Sequence, residues 1–351
     1  MTTETGRWVD PRCTALPLTK TGPFVMLGDG SLMAVEGHGT VVSTDDGRTW
    51  CAPRAICAGE PTGIPSEACA MLRTRDGGIV LVYMDMATYQ WGWDDAKNEP
   101  TAAKLDVWAI RSPDEGKTWT DRQKLLDGYC GCLMDIIETR SGRVVVPVQD
   151  LLRNPARHAQ YTFASADSGK TWKRSNVIDL GGHGHHDGAI EGTLEELKDG
   201  RLLMLLRTNL DRFWEAYSDD QGLSWRVIRP SPLDASSAPG YLKRLASGRL
   251  MLAWNRLYPE GLSPEEQARY PRTAGSFSER PASIHREELS IAFSEDEAKT
   301  WSKPTVIVRE KKRLSYPFIL ERRPGELWVT TRFNTKLGIS LKEADFVDNC
   351  S

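Results

Sequence analysis

The chain has 351 residues, 40% of them apolar and 26% charged, with a formal net charge of −3. Its length accommodates one large domain or two ordinary ones, and so small a net charge gives no global field toward nucleic acid or an anionic membrane. No stretch approaches the roughly 18 apolar residues needed to span a bilayer, which excludes a transmembrane helix. The opening MTTETGRWVD has neither a basic start nor an apolar run, and the seven cysteines are an odd number with no CxxC pair. Both features fit reduced thiols in a cytoplasmic protein.

Two phrases alternate along the chain. The first is a turn glycine between apolar runs: MLGDGSLMAV (26–35), LRTRDGGIVLVY (72–83), IIETRSGRVVVPV (136–148), LEELKDGRLLMLL (194–206), LKRLASGRLMLAW (242–254) and LERRPGELWVT (320–330). Each predicts a hairpin of two strands. The second is an octapeptide: STDDGRTW at 43, SPDEGKTW at 112, SADSGKTW at 165, SDDQGLSW at 218 and SEDEAKTW at 294. In it the Asp side chain can accept backbone N–H bonds within a tight turn, the Gly supplies a positive φ, and the Trp is a large apolar wedge. Ala298 replaces the glycine in the fifth copy, so a strained or altered turn is expected there.

Six inner hairpins interleaved with five box-bearing outer ones predict an all-β, single-domain chain (1–351) of six four-stranded sheets. Radial arrangement, a six-bladed β-propeller, removes their exposed edges. The N-terminal segment is expected to close the sixth sheet. The boxes resemble the Asp boxes, or BNR repeats, of the sialidase (neuraminidase) superfamily. That resemblance covers roughly residues 20–340 and implies a site at the central depression. Boxes alone give a fold and not a function.

Indexing each blade from its turn glycine predicts a ring of residues around the axis: Thr21, Glu67, Cys132, Glu191, Pro239 and Tyr316, then Gly37 or His38, Asp85, Gln149, Arg207, Asn255 or Arg256, and Arg332. The ring is too polar for an ordinary core. By resemblance, AIEGTLEELKDGRLLMLLRT carries the family's catalytic Glu as Glu191 and a carboxylate-binding arginine as Arg207. HREELSIAFSEDEAKTW carries a second such arginine as Arg286, and LSYPFILERRPGELWVT the tyrosine nucleophile as Tyr316. A neutral phenol avoids repulsion by a substrate carboxylate, and an adjacent carboxylate can take its proton. Two family elements have no match. Thr21 stands where the first triad arginine is expected, and the first hairpin runs straight into the first box with no loop carrying a matching aspartate; Glu36 and His38 are the titratable residues there.

GGHGHHDGAIEG (181–192) holds three of the six histidines directly before Glu191. A structural loop, a catalytic loop, and a metal site through His183, His185 and Asp187 are the competing readings. The reading adopted assigns His185, His186 and Asp187 the acid/base or orienting work of the missing aspartate, with no metal or other cofactor. Insertions at about 87–104 and 257–285 are expected over or beside the channel. The first carries Trp91 and Trp93, which are suited to stacking on a sugar. In the second, SPEEQARY predicts a short helix with Ser263 as N-cap and Glu266 completing a capping box.

These features predict an exo-acting glycoside hydrolase that releases a terminal, acidic sugar from a glycan. Arg207, Arg286, Arg332, Arg256, Glu67, Asp85, His38, Gln149 and Trp91 are the candidate substrate contacts, and nucleic acid and membranes are not expected partners. Open alternatives are a non-sialic, rhamnosidase-like glycosidase, a polysaccharide lyase using the His185/His186 loop, and a non-catalytic carbohydrate-binding propeller.

Overall fold

The computed structural model describes residues 6–57, 69–311 and 313–347. Among them six antiparallel sheets follow one another along the chain. Blade 1 comprises Val25–Met26, Leu32–Glu36, Gly39–Ser43 and Arg54–Ala55. Blade 2 comprises Ala70–Arg73, Ile79–Met84, Val107–Ser112 and Thr120–Leu126. Blade 3 comprises Ile137–Glu138, Val144–Leu152, Arg157–Ser165 and Lys173–Arg174. Blade 4 comprises Ile190–Glu196, Leu202–Arg207, Arg212–Ser218 and Val227–Asp234. Blade 5 comprises Tyr241–Arg244, Leu250–Trp254, Glu288–Ser294 and Thr305–Arg309, and blade 6 Leu314–Arg323, Glu326–Asn334 and Leu337–Lys342. The six-bladed all-β propeller predicted from the repeats is present.

Thr14–Leu16 pairs with Leu337–Lys342, so the N-terminal segment closes the last blade as expected. It also does something the repeats gave no hint of: Trp8–Val9 adds a fifth strand to blade 5, on Thr305–Arg309. The N-terminal arm therefore ties two blades together. First strands of neighbouring blades touch, Val25–Met26 with Ala70–Arg73 and Tyr241–Arg244 with Leu314–Arg323, which makes them the axial layer.

Local chemistry explains the repetition. The hairpin glycines 30, 77, 142, 200, 248 and 325 all lie at φ between +76° and +90°, a region that side chains disfavour. In the first box, Asp45 accepts from Thr49 N (2.9 Å), Thr49 Oγ1 (2.6 Å) and Ser43 Oγ (2.8 Å), while Gly47 N donates to Ser43 Oγ (2.8 Å). The same bonds recur around Asp114, Asp167, Asp220 and Asp296. Hydrogen bonds from Thr49 hold the Asp45 carboxyl at about 2, and those from Thr118 hold Asp114 at about 2. Ala298 keeps the box geometry, its N donating to Ser294 Oγ at 2.9 Å, but does so at φ +64°. The fifth turn is strained without being altered.

Each box tryptophan packs into the apolar cluster shared with the preceding blade. Trp119 joins the cluster of blades 1 and 2, Trp172 that of 2 and 3, Trp225 that of 3 and 4, and Trp301 that of 4 and 5. Trp50 lies in the large cluster that joins blades 5, 6 and 1, stacked on Phe24 at 6.0 Å. Trp225 is the most enclosed, and its Nε1 donates to Thr162 Oγ1 of blade 3 at 2.8 Å. The boxes thus serve as inter-blade wedges.

Both insertions have structure of their own. Residues 87–104 contain a hairpin, Gln90–Asp94 with Glu99–Lys104. In 257–285 the short helix Pro264–Ala268 starts at Ser263 with the predicted capping box to Glu266. No helix among the described residues is long and apolar enough to cross a membrane.

Candidate active site

Glu191 and Arg207 stand at the axial end of the blade 4 hairpin, where Ile190 faces Arg207 and a bulge follows before Thr193. Within the bulge Glu191 sits at φ +47°, and across the axis Tyr316 sits at φ +58°. Both are non-glycine residues held in a disfavoured region, which is typical of working sites. Glu191 N donates to Gln149 Oε1 (2.8 Å), and Gly192 N to Gln160 Oε1 (3.3 Å), so blade 3 side chains brace the bulge.

The Glu191 carboxylate is shared between two partners. Tyr316 donates its phenolic proton to Oε1 at 2.7 Å, and Arg207 Nη1 donates to Oε2 at 2.7 Å. Arg207, 1% exposed, also donates from Nε and Nη2 to Ser237 Oγ (3.2 and 3.0 Å). Burial opposes its charge, but Glu191 and Tyr316 outweigh that and raise its pKa. Burial and then the Glu191 charge push the Tyr316 phenol far above its ordinary value, against the opposing pull of Arg207 and Arg286. Phenolate is therefore not formed in advance. The Tyr316–Glu191 contact suits a proton transfer concurrent with attack.

A cavity of about 670 Å³ opens over this pair. Its floor includes Tyr316, Glu191, Gln149 and Cys132, and its far side Arg286 and Arg313. Both insertions supply walls: Trp91, Trp93 and Asp95 from one, Thr273, Phe277 and Ile284 from the other. Trp91 stacks on Trp93 (5.7 Å, 15°) and lies 4.9 Å from Tyr129. Arg286 donates from Nη2 to Ser237 O (2.8 Å), and its Cζ lies 5.7 Å from the Tyr316 ring. Burial, then the neighbouring Arg207, lower its pKa to about 10.

The histidine loop divides into distinct roles. His183 Nε2 donates to Asn98 O at 2.8 Å and so pins the inserted hairpin. His185 and His186 both line the cavity and are hydrogen-bonded to one another through their Nδ1 atoms. His186 stacks on Phe277 at 4.8 Å and 11°. Burial, then Arg207, drive its pKa down to about 2, while burial lowers His185 and nearby Asp95 opposes that shift. The pair is therefore neutral near pH 7, with His185 the easier member to protonate. Asp187 is placed elsewhere. Its carboxylate accepts from His183 N (3.1 Å), Gly188 N (2.9 Å) and Glu279 N (3.2 Å), fastening the loop to the second insertion away from the cavity wall. These geometries separate His183, His185 and Asp187. Among the described residues no group of three or more His, Cys, Asp or Glu is arranged to hold a metal.

The remaining predicted contacts are scattered. Gln149 and Trp91 line the cavity. Arg207 lies behind it, bound to Glu191 and Ser237. Arg332 is fully enclosed and directs Nη1 to Cys69 O (3.4 Å) and Nη2 to Met134 O (3.3 Å), which makes it an axial strut. Asp85 caps the turn Met86–Thr88 by accepting from Ala87 N (3.1 Å), and Arg256 pairs with Asp234 at 3.4 Å. His38 is an exposed residue between Leu32–Glu36 and Gly39–Ser43, whose carbonyl accepts from Ile56 N. None of Asp85, Arg256 and His38 lines the cavity, because turn-glycine indexing counts residues without knowing where bulges and caps redirect the chain. Glu67 lies outside the described residues. Lys20, beside the unmatched Thr21, pairs with Glu36 at 2.8 Å.

Among the cavity residues that escaped the sequence reading are the polar Arg313, Asp95, Tyr129 and His158. Arg313 immediately precedes the first strand of blade 6, the same position relative to a strand that drew attention to the loop before Glu191, and so was open to the same reasoning. His158 is the second residue of the mixed, largely buried strand Arg157–Ser165 and gave no such signal. It is 3% exposed, its Nε2 donates to His185 O (3.1 Å), its Nδ1 has no partner, and burial lowers its pKa to about 4.

The family model for the BNR repeat-like domain matches residues 39–329. Among solved structures, a protein of unknown function from Dyadobacter fermentans superposes with a TM-score of 0.60 at 17% identity, covering 95% of this chain and 100% of that one. The sialidase of Trypanosoma rangeli, solved as a covalent intermediate with 2,3-difluorosialic acid, gives 0.61 at 13% identity, over 96% of this chain and 60% of that one. The intramolecular trans-sialidase of Ruminococcus gnavus gives 0.55 at 14%, over 93% and 96%. No curated protein sequence matches. Identities this low carry the fold alone. Matched to its family model over most of its length, the chain belongs to the BNR repeat-like domain family and has the six-bladed propeller of the sialidase superfamily.

Proposed function

We propose that the protein is an exo-acting glycoside hydrolase that removes a terminal acidic sugar from a glycan. The observation that carries this reading is the 2.7 Å hydrogen bond from Tyr316 to Glu191, at the floor of a walled cavity and backed by Arg207. In the proposed reaction the Tyr316 oxygen bonds to the anomeric carbon as its proton passes to Glu191. The bond to the leaving oxygen breaks, and that oxygen takes a proton. Water then attacks the anomeric carbon and passes a proton to His185 as the bond to the Tyr316 oxygen breaks, and that oxygen recovers its proton from Glu191, freeing the sugar. Arg286 orients the acid group. His185 lines the cavity and protonates more readily than His186, so it is the donor to the leaving oxygen in its imidazolium form, the form that acid pH favours. Walls from both insertions favour a terminal residue over an internal one. In the blade 1 segment, Thr21 and the Lys20–Glu36 pair stand in place of an arginine and an aspartate, so sialic acid is one candidate among acidic sugars.

The neutral His185–His186 pair favours one second reading, a lyase in which it abstracts the proton beside a uronate carboxylate. One experiment separates the two. Aryl glycosides of sialic, uronic and neutral sugars, together with a 4-linked oligouronide, are incubated with wild type, Tyr316→Phe and Glu191→Gln, and products are resolved by mass and ultraviolet absorbance. Saturated acidic sugar, lost in both variants, is the result expected. An unsaturated, absorbing product indicates the lyase. Glycan binding without turnover, untouched by either substitution, indicates a binding propeller.

A further inference from the structure

Positive charge on the cavity wall exceeds what the nearby carboxylates match. Arg207 is answered by Glu191. Among the described residues the guanidinium of Arg286, a residue 7% exposed, bonds only Ser237 O (2.8 Å) and, weakly, Ser315 Oγ (3.4 Å). Its Nε has no partner, and among the described residues it has no ion pair. Arg313 lines the same cavity from an exposed position, and among the described residues its guanidinium makes no hydrogen bond or ion pair. The two are fixed side by side by the main chain. Leu314 N donates to Arg286 O at 2.6 Å, and Thr335 N donates to Arg313 O at 3.2 Å.

Keeping a guanidinium buried beside other cations, without a carboxylate, is costly. The cost falls when an anion enters and receives charge-assisted, bidentate hydrogen bonds. Arg286 lies 5.7 Å from the Tyr316 ring, so an anion held there is beside the proposed nucleophile. Arg207 cannot serve this purpose directly, because Glu191 and Ser237 occupy it. The aromatic wall of Trp91, Trp93 and Tyr129 offers no cation.

We propose that Arg313 is an anion-binding residue and forms with Arg286 a two-arginine clamp for the carboxylate of the substrate sugar. It supplies the positive charge that blade 1, with Thr21, does not. The assignment rests on the acidic-sugar reading above and adds to it a specificity residue from the entry to blade 6.

The test compares wild type with Arg313→Ala and Arg313→Lys, each first shown to melt like wild type. N-acetylneuraminic acid, glucuronic acid and their methyl esters are titrated at low salt, using the fluorescence of Trp91 and Trp93. Turnover of the aryl glycosides is measured in parallel. Expected is a roughly ten- to hundredfold weaker affinity of Arg313→Ala for the acid that wild type prefers. Partial recovery in Arg313→Lys, unchanged ester binding, and a shallower salt dependence should accompany it. KM should rise more than kcat falls. Acid bound by Arg313→Ala as tightly as by wild type, with wild-type turnover of acidic glycosides intact, overturns the clamp and spares the proposed function. Esters bound by wild type as tightly as acids overturn both.

Discussion

At the rim of the propeller five copies of one octapeptide form the same hydrogen bonds, with the first Ser, the central Asp and the Thr or Ser before the Trp bonded together within the turn. At the axis no blade repeats another. Each box also sets the residue before its glycine position at positive φ, but within one repeated turn; at the axis Glu191 and Tyr316 take that region singly, and Arg286 Nε, Arg332 Nε and His158 Nδ1 are enclosed without hydrogen-bond partners. Repetition therefore marks where the molecule builds stability, and departure from it marks where stability is given up for a preorganised polar site.

The largest expected effect lies at the axis. Tyr316→Phe should lower turnover by about a thousandfold or more, while costing only about 1 kcal/mol of stability for one hydrogen bond. Glu191→Gln should lose turnover comparably and also cost about 3–5 kcal/mol, because Arg207 keeps its buried charge without a counter-ion. Urea melts of both variants beside rate assays would check the contrast; two equally stable variants would contradict it. At the rim, Trp225→Ala should cost about 3–5 kcal/mol through a cavity between blades 3 and 4, with unaltered turnover per folded molecule. A lost rate at full stability would break the division between rim and axis.

Acid sharpens the comparison further. His158 and His186 have pKa values lowered to about 4 and about 2, mainly by burial, against about 6.5 when unfolded. The unfolded chain thus binds protons that the folded chain refuses. The stability this provides is complete above about pH 6.5 and declines as pH falls toward 4. His158→Gln should show a smaller loss of urea midpoint between pH 7 and 4.5 than wild type, and an identical slope would refute the assignment. The box aspartates act in a lower window. Asp45 and Asp114, held at about 2, contribute stability above about pH 4 that is lost as pH falls toward 2, so Asp114→Asn should flatten the melting profile there and nowhere else. The smallest effect is Ala298→Gly. Relief at φ +64° and loss of one buried methyl oppose each other, leaving a change below about 1 kcal/mol by thermal melt.

The number of blades and the box turns were legible in the repeats, and the capped helix at Ser263 in its capping box. Each is a local instruction, written as a turn glycine, an Asx turn or a capping box, and it operates wherever the chain carries it. Resemblance added Glu191, Arg207, Arg286 and Tyr316, three of which the structure brings to one cavity, with Arg207 behind it, bonded to Glu191. Tertiary structure alone decided the rest. The bulge at Glu191, the stapling of the hairpin by His183, the diversion of Asp187 into backbone bonds and the arrival of Arg313 and His158 at the cavity depend on contacts between blades distant in sequence. No periodicity encodes those contacts, because spacing along a strand fixes which face a residue takes but not what another blade places opposite it.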